Sequence, residues 1–158
     1  MIKPNIVVLV PVTRDNYKRV IELCVAPDQE MFVGTTAEAI ATAHFNPNYI
    51  MQAIVRISDA VFVGFLMYDP ESPATIPPHA IRLERFLVDC KYQGRGYGRA
   101  ALFMLKNQLK NDYPHQTQLQ LVTLGHNQKG ITFYEKSGFV FDPPPNARST
   151  YAHGRISL

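Results

Sequence analysis

"YQGRGYGRAAL", Tyr92 to Leu102, sets three glycines at alternate positions, Gly94, Gly96 and Gly98, with Arg95 and Arg99 between and after them. The nine residues Ala80 to Val88, "AIRLERFLV", read as a strand leading towards it. Beyond it Leu102, Leu105, Leu109 and Tyr113 recur at helical spacing, so a helix is expected over Arg99 to Tyr113. A glycine turn that opens a helix presents free N–H groups and partial positive charge, which suits a phosphate. Alone, three alternate glycines fit a plain turn with solvated arginines equally well. The residues around the turn must decide.

The chain has 158 residues, 46% hydrophobic and 18% charged, which fits one globular domain over 1–158. Its net charge of +3 comes without a basic stripe, so no nucleic-acid partner is expected. The apolar run from Ile6 to Val12 is too short for a membrane helix and lacks a following cleavage site. Two cysteines, Cys24 and Cys90, fit neither a disulfide framework nor metal-ligand spacing, and a reducing, cytoplasmic setting is the simplest reading. The five histidines are scattered without ligand spacing, so no metal is expected.

Further elements follow from pattern. A strand is expected over 5–12, then a helix over 16–25 with Asp15 as its N-cap. Thr35 or Thr36 with Glu38 marks the start of a second helix that runs to Phe45. Strands over 50–57 and 60–68 join through the tight turn "SDA". "DPESPATIPPH", 69–79, holds four prolines and is expected to be a loop. On the strand over 80–88, Ile81, Leu83 and Leu87 should share one face, interrupted by Arg85, with Phe86, Val88 and Glu84 on the other. A strand over 118–124 and a helix from Lys129 to Ser137, ended by Gly138, come next. The tail from Asn146 should add an edge strand or two. This order describes a mixed α/β sheet rather than a doubly wound one.

Three owners compete for the glycine turn. A Walker loop needs Gly-Lys-Ser/Thr, whereas Arg99 and Ala100 follow Gly98. A dinucleotide fingerprint needs GxGxxG and an acid at the end of the next strand, but the spacing is GxGxG and Gly125-His126 ends that strand. A pyrophosphate cradle for coenzyme A needs only converging N–H groups, here from Gln93 to Gly98, with Arg95 and Arg99 adding charge.

The segment from Gln93 to Gly98 matches the pattern Gln/Arg-x-x-Gly-x-Gly/Ala, and "HNQKGITFYEKSGF" supplies Asn127, Tyr134, Gly138 and Phe139 at a second characteristic spacing, with Gly130 where alanine is usual. The chain thus resembles the GNAT N-acetyltransferases over nearly its whole length. "LERFLVDCKYQGRG" further resembles the bacterial diamine (spermidine/spermine) N-acetyltransferases at Leu83, Glu84, Phe86, Val88 and Tyr92. The resemblance implies a GNAT fold, with a mixed central sheet of six to seven strands and about four helices, and acetyl-CoA as cosubstrate. It also implies a small amine as acceptor, a polyamine first of all, and a homodimer paired through C-terminal strands.

It implies roles as well. An alkyl ammonium, with a pKa near ~10, must lose a proton before it attacks a thioester. The resemblance gives that task to Glu84, directly or through water, and gives protonation of the leaving thiolate to Tyr134. The Val88 N–H would polarise the thioester carbonyl. Cofactor contacts are implied at Phe86, Leu87 and Val88, at Gln93, Gly94, Arg95, Gly96, Tyr97, Gly98 and Arg99, and at Asn127, Tyr134 and Lys136. Asp28, Glu30 and Phe32 are candidates for lining the acceptor channel with Glu84, and Asp69 and Glu71 are further acids for it. Gly34 stands where related bacterial enzymes tend to carry an acid. Other acceptors (an aminoglycoside, an amino acid or a peptide N-terminus) stay open. The presence of both Glu84 and Tyr134 argues against a non-catalytic acyl-CoA sensor.

Overall fold

The computed structural model describes residues 6–146 and 148–158. Asn5, at the start of the first expected strand, and Ala147, in the expected tail strands, lie outside the described residues. The strands are β1 (Val7–Pro11), β2 (Ile50–Arg56), β3 (Phe62–Ser72), β4 (Ala80–Val88), β5 (Gln118–Leu124), β6 (Val140–Phe141) and β7 (Tyr151–Ser157). They form one sheet in the order β1-β2-β3-β4-β5-β7-β6. Helices are α1 (Tyr17–Ile21), α2 (Glu30–Val33), α3 (Thr36–His44), α4 (Tyr97–Asp112) and α5 (Gln128–Lys136), α2 being a single turn that continues a 3-10 turn at Pro27–Gln29. This is the expected mixed sheet.

Every neighbouring pair is antiparallel except β4 and β5, which run parallel. Their pairing is short: Ile81, Arg82 and Leu83 match Leu119, Gln120 and Leu121, and it ends at Leu83. The two strands part there. β7 lies between β5 and β6, so the tail contributes an interior strand and leaves only two-residue β6 at the edge.

Alternation along β4 does not follow the expected parity. Met67 pairs with Arg85 and Tyr68 pairs with Leu83, which leaves Glu84 as the extra residue of a β-bulge. A bulge exchanges the faces beyond it. Ile81 and Leu83 pack with Leu102, Leu105 and Leu109 of α4, and Phe86 joins that side. Leu87 instead joins Val20, Ala39, Phe65 and Met67 under α1 and α3. Leu87 is therefore not on the face of Ile81 and Leu83, and Glu84 does not share a face with Phe86 and Val88.

Two other elements depart from expectation. The 69–79 segment is not all loop, because β3 extends through Ser72. Pro70 is tolerated there because the register breaks between Asp69 and Ser72, where a missing N–H costs no ladder bond. α1 ends at Ile21 rather than Val25. The Cys24 N–H donates to Asp89 Oδ2 (3.1 Å) and its carbonyl accepts from the Cys90 N–H (2.8 Å), so the loop after β4 takes the groups a helix would use. Asp15 does not cap this helix: Asn16 precedes it and bonds back to Thr13 and Pro11. By contrast the capping box at Thr35 and Glu38 forms as expected, and its hydrogen bonds hold the Glu38 carboxyl below the usual range.

Candidate active site

Where β4 and β5 separate, a cleft of about 590 Å³ opens between the glycine turn, α5 and the turn containing α2. Phe86, Leu87 and Val88 line its floor. The Asp89 N–H donates to Val63 on β3, so by strand alternation the Val88 N–H faces the opposite edge, where β5 has moved away. The splay thus turns the Val88 N–H toward the cleft rather than toward a neighbouring strand.

At the mouth, Gly94 (φ 74°) and Gly96 (φ 86°) are both left-handed, a conformation that side chains resist, and Gly96 is the N-cap of α4. This turns successive peptide groups toward one concavity. The N–H groups from Gln93 to Gly96, and those of the first turn of α4, have no acceptor among the described residues. A diphosphate would satisfy them. Gly98 is buried against the Phe133 ring, and Arg99 lines the cleft beside it. The residues present therefore fit coenzyme A.

α5 forms the opposite wall. Asn127 is its N-cap: Oδ1 accepts from the Gly130 N–H (3.1 Å) and Nδ2 donates to Thr123 Oγ1 (2.9 Å). A Cβ at position 130 would run into the Asn127 amide, which explains glycine there. Tyr134 projects from α5 among Phe86, Phe133 and Phe139, with ring centroids 5.2 to 6.4 Å away. Its hydroxyl has no hydrogen-bond partner among the described residues, and burial pushes the phenol well above its usual range. The Tyr134 phenol is thus held in its protonated form.

The cleft gathers Phe86, Leu87, Val88, Gln93, Gly94, Gly96, Tyr97, Gly98, Arg99, Asn127 and Tyr134, together with Phe32. Arg95 and Lys136 do not line it. Arg95 lies over the Tyr92 ring at 5.9 Å, and Lys136 is exposed in the last turn of α5. Asp28 and Glu30 do not line it either; they sit on the helical turns at Pro27–Gln29 and Glu30–Val33. Asp28 pairs with Lys129 (3.4 Å) across the mouth. Sequence reasoning missed Gln29, Tyr92, Lys129 and Phe133. Gln29 and Gln93 exchange amide hydrogen bonds of 2.8 and 3.3 Å, a pairing across 64 residues that no local pattern announces.

Glu84 stands apart from these lining residues, at the bulge where the splay begins. Its side chain is 14% exposed and ion-paired to Arg82 Nε at 3.3 Å, while Arg85 Nη1 donates to the Glu84 carbonyl at 2.9 Å. Burial raises the Glu84 carboxyl above its ordinary range; Arg82 and Arg85 oppose that, and Asp69 adds to it. Asp69 is buried on the neighbouring strand, and Glu71 is exposed.

The chain belongs to the acetyltransferase (GNAT) family, whose model matches residues 17–139, and it is an N-acetyltransferase of that family. Members of the family use acetyl-CoA. It is similar to the spermine/spermidine N(1)-acetyltransferase of Bacillus subtilis (strain 168), with 29% identity over 83% of this chain and 86% of that one. Among solved structures it is similar to an acetyltransferase from Thermus thermophilus (TM-score 0.69, 22% identity, 97% of each chain). The spermidine N-acetyltransferase from Vibrio cholerae, in complex with CoA and spermine, shares the fold at a TM-score of 0.68 and 13% identity, over 96% of this chain and 95% of that one. Among the described residues no helix is long and apolar enough to cross a membrane.

Proposed function

We propose that this chain transfers the acetyl group of acetyl-CoA to a primary amine of a small substrate, with Glu84 as base and Tyr134 as acid. One observation carries the reading: the Val88 N–H, the unpaired N–H groups of the glycine turn and the Tyr134 hydroxyl belong to one cleft. The turn holds the diphosphate, which points the thioester toward the splay. Val88 donates to the carbonyl oxygen as charge develops on it. Glu84 sits at the apex on the far face, so the amine approaches from that side and gives its proton to the carboxylate, directly or through water. Its raised affinity for protons suits this task. Tyr134 then protonates the departing thiolate.

A polyamine such as spermidine or spermine is the first acceptor class of this proposal, supported by the name of the Bacillus relative and by the segment from Leu83 to Val88. One observation favours a second class. Arg82 and Arg85 crowd Glu84 with two cationic charges; the Arg85 Nε is buried without a hydrogen-bond partner among the described residues, and the Arg82 Nε meets only the Glu84 carboxylate at 3.3 Å. An amine that also carries a carboxylate, such as an amino acid, meets those donors better than a polycation does. The proposal further takes the chain as one cytoplasmic domain acting as a homodimer.

A thiol-release assay with acetyl-CoA and, separately, spermidine, spermine, lysine and aminoglycosides tests the reading. Release with at least one amine is expected. Tight acetyl-CoA binding without release for any amine overturns it in favour of a sensor.

A further inference from the structure

Cys24 and Cys90 lie 66 residues apart, yet their sulfurs are 3.9 Å from each other, and both residues are exposed. The contact is braced on both sides. The Cys90 N–H donates to the Cys24 carbonyl (2.8 Å), and the Cys24 N–H donates to the Asp89 carboxylate (3.1 Å). Asp89 is itself buried and also accepts from the Lys91 N–H at 2.9 Å. A direct backbone hydrogen bond keeps the two Cα atoms within the span of about 4.4–6.8 Å that a disulfide requires. Bond formation then needs side-chain rotation and no rearrangement of the chain.

The pair also sits at the root of two segments that meet over the cleft. Val25 and Gln29 follow Cys24, Tyr92 and Gln93 follow Cys90, and all four line the cleft. Gln29 and Gln93 are hydrogen-bonded to each other across the mouth. Both cysteines lie outside the set that the acetyl-transfer reading uses.

We propose that Cys24 and Cys90 form a reversible intramolecular disulfide that ties the turn containing α2 to the glycine turn and so restricts access of acetyl-CoA. The oxidant is a small-molecule disulfide, RSSR. One cysteine thiolate attacks a sulfur of RSSR, forming a protein–S–SR bond and expelling RS⁻. The second thiolate attacks the protein sulfur of that mixed disulfide, forms the Cys24–Cys90 bond and expels the second RS⁻. Two thiol protons are released, the protein loses two electrons, and RSSR is reduced to two RSH. Contact with Cys90 pushes the Cys24 thiol up; partial desolvation and Asp89 act the same way, and Lys91 opposes them. The exchange therefore quickens as pH rises.

The test incubates the native protein with oxidised glutathione, then compares intact mass, free thiols and acetyl-CoA kinetics before and after reductant. Both thiols are expected to disappear together, leaving a monomeric chain lighter by two hydrogens, with the KM for acetyl-CoA raised several-fold and restored by dithiothreitol. C24S and C90S should each stop at a single glutathione adduct, and neither should form the internal bond. Two unreacted thiols, two persisting glutathione adducts, a disulfide-linked dimer, or a KM identical in the oxidised and reduced protein would each overturn the inference. Acetyl transfer by the reduced protein is measured in the same series. A silent redox response with intact turnover therefore rejects this proposal without touching the reading of the active site.

Discussion

On one side of β4, Phe86 and Val88 face α4 and α5, and the cleft there is shaped by backbone: a strand splay, two left-handed glycines and a helix start. On the other side Arg82, Glu84 and Arg85 crowd together beside buried Asp69, and what matters there is the balance of side-chain charge. On the proposed function, the difference follows from what each side would handle. A diphosphate and a thioester carbonyl are fixed features of the donor, so preset N–H groups serve them with little need for a particular side chain. An amine's proton needs a base whose affinity is tuned, and tuning depends on neighbours that a few substitutions can replace.

Tyr134→Phe should break the cleft most sharply. The aromatic contacts with Phe86, Phe133 and Phe139 survive the change, so folding and acetyl-CoA affinity should hold within about twofold, while turnover falls by about a hundredfold or more, as for loss of a general acid. Steady-state turnover beside a direct binding measurement checks this. Equal loss in both would make Tyr134 a binding residue.

Glu84→Gln probes the other side and should cost about ten- to a hundredfold in turnover, the range for a base that partly works through water. Burial raises the Glu84 carboxyl, so the acidic limb of the wild-type rate profile should lie above the ordinary carboxylate value of about 4.3 and vanish in the variant. Stability has the opposite sign. A carboxyl raised in the folded state contributes below its unfolded pKa, and that contribution is lost as pH climbs through the folded value. Glutamine resembles the protonated form, so the variant should unfold at neutral pH no more readily than wild type. A variant that is both inactive and unstable at pH 7 would mean that Glu84 is chiefly the partner of Arg82.

The two sides also differed in how far the sequence revealed them. The glycine turn, the capping box at Thr35 and the core stripe of α4 are local patterns, and each appears where expected. The bulge at Glu84 was hidden because it depends on register with β3: one extra residue moves Leu87 to the α1 and α3 side and turns Glu84 away from Phe86. The shortening of α1 was hidden for a similar reason, since Asp89 and Cys90, more than 60 residues away, take the Cys24 backbone groups. Local periodicity carries no record of such partners. Gln29, on a short turn, and Lys129, read only as the start of a helix, were not assigned to the cleft because a lone polar residue carries no such signal until the fold puts it there.

The smallest expected effect separates two lysines of one helix. Lys129 stands in the first turn of α5, lines the cleft and pairs loosely with Asp28 at 3.4 Å, both side chains being well exposed. Lys136 stands in the last turn, away from the cleft. Exposed pairs of this kind contribute little to stability, so neither substitution by alanine should shift unfolding noticeably. Their positions differ with respect to an anionic donor. Lys129→Ala removes a cation from the mouth and should raise the KM for acetyl-CoA by about two- to fivefold at low salt, with turnover unchanged and the difference shrinking as salt screens it. Lys136→Ala should leave that KM alone. The reverse ranking would place the donor along the far end of α5, outside the splay, and would detach the cleft from the chemistry assigned to it.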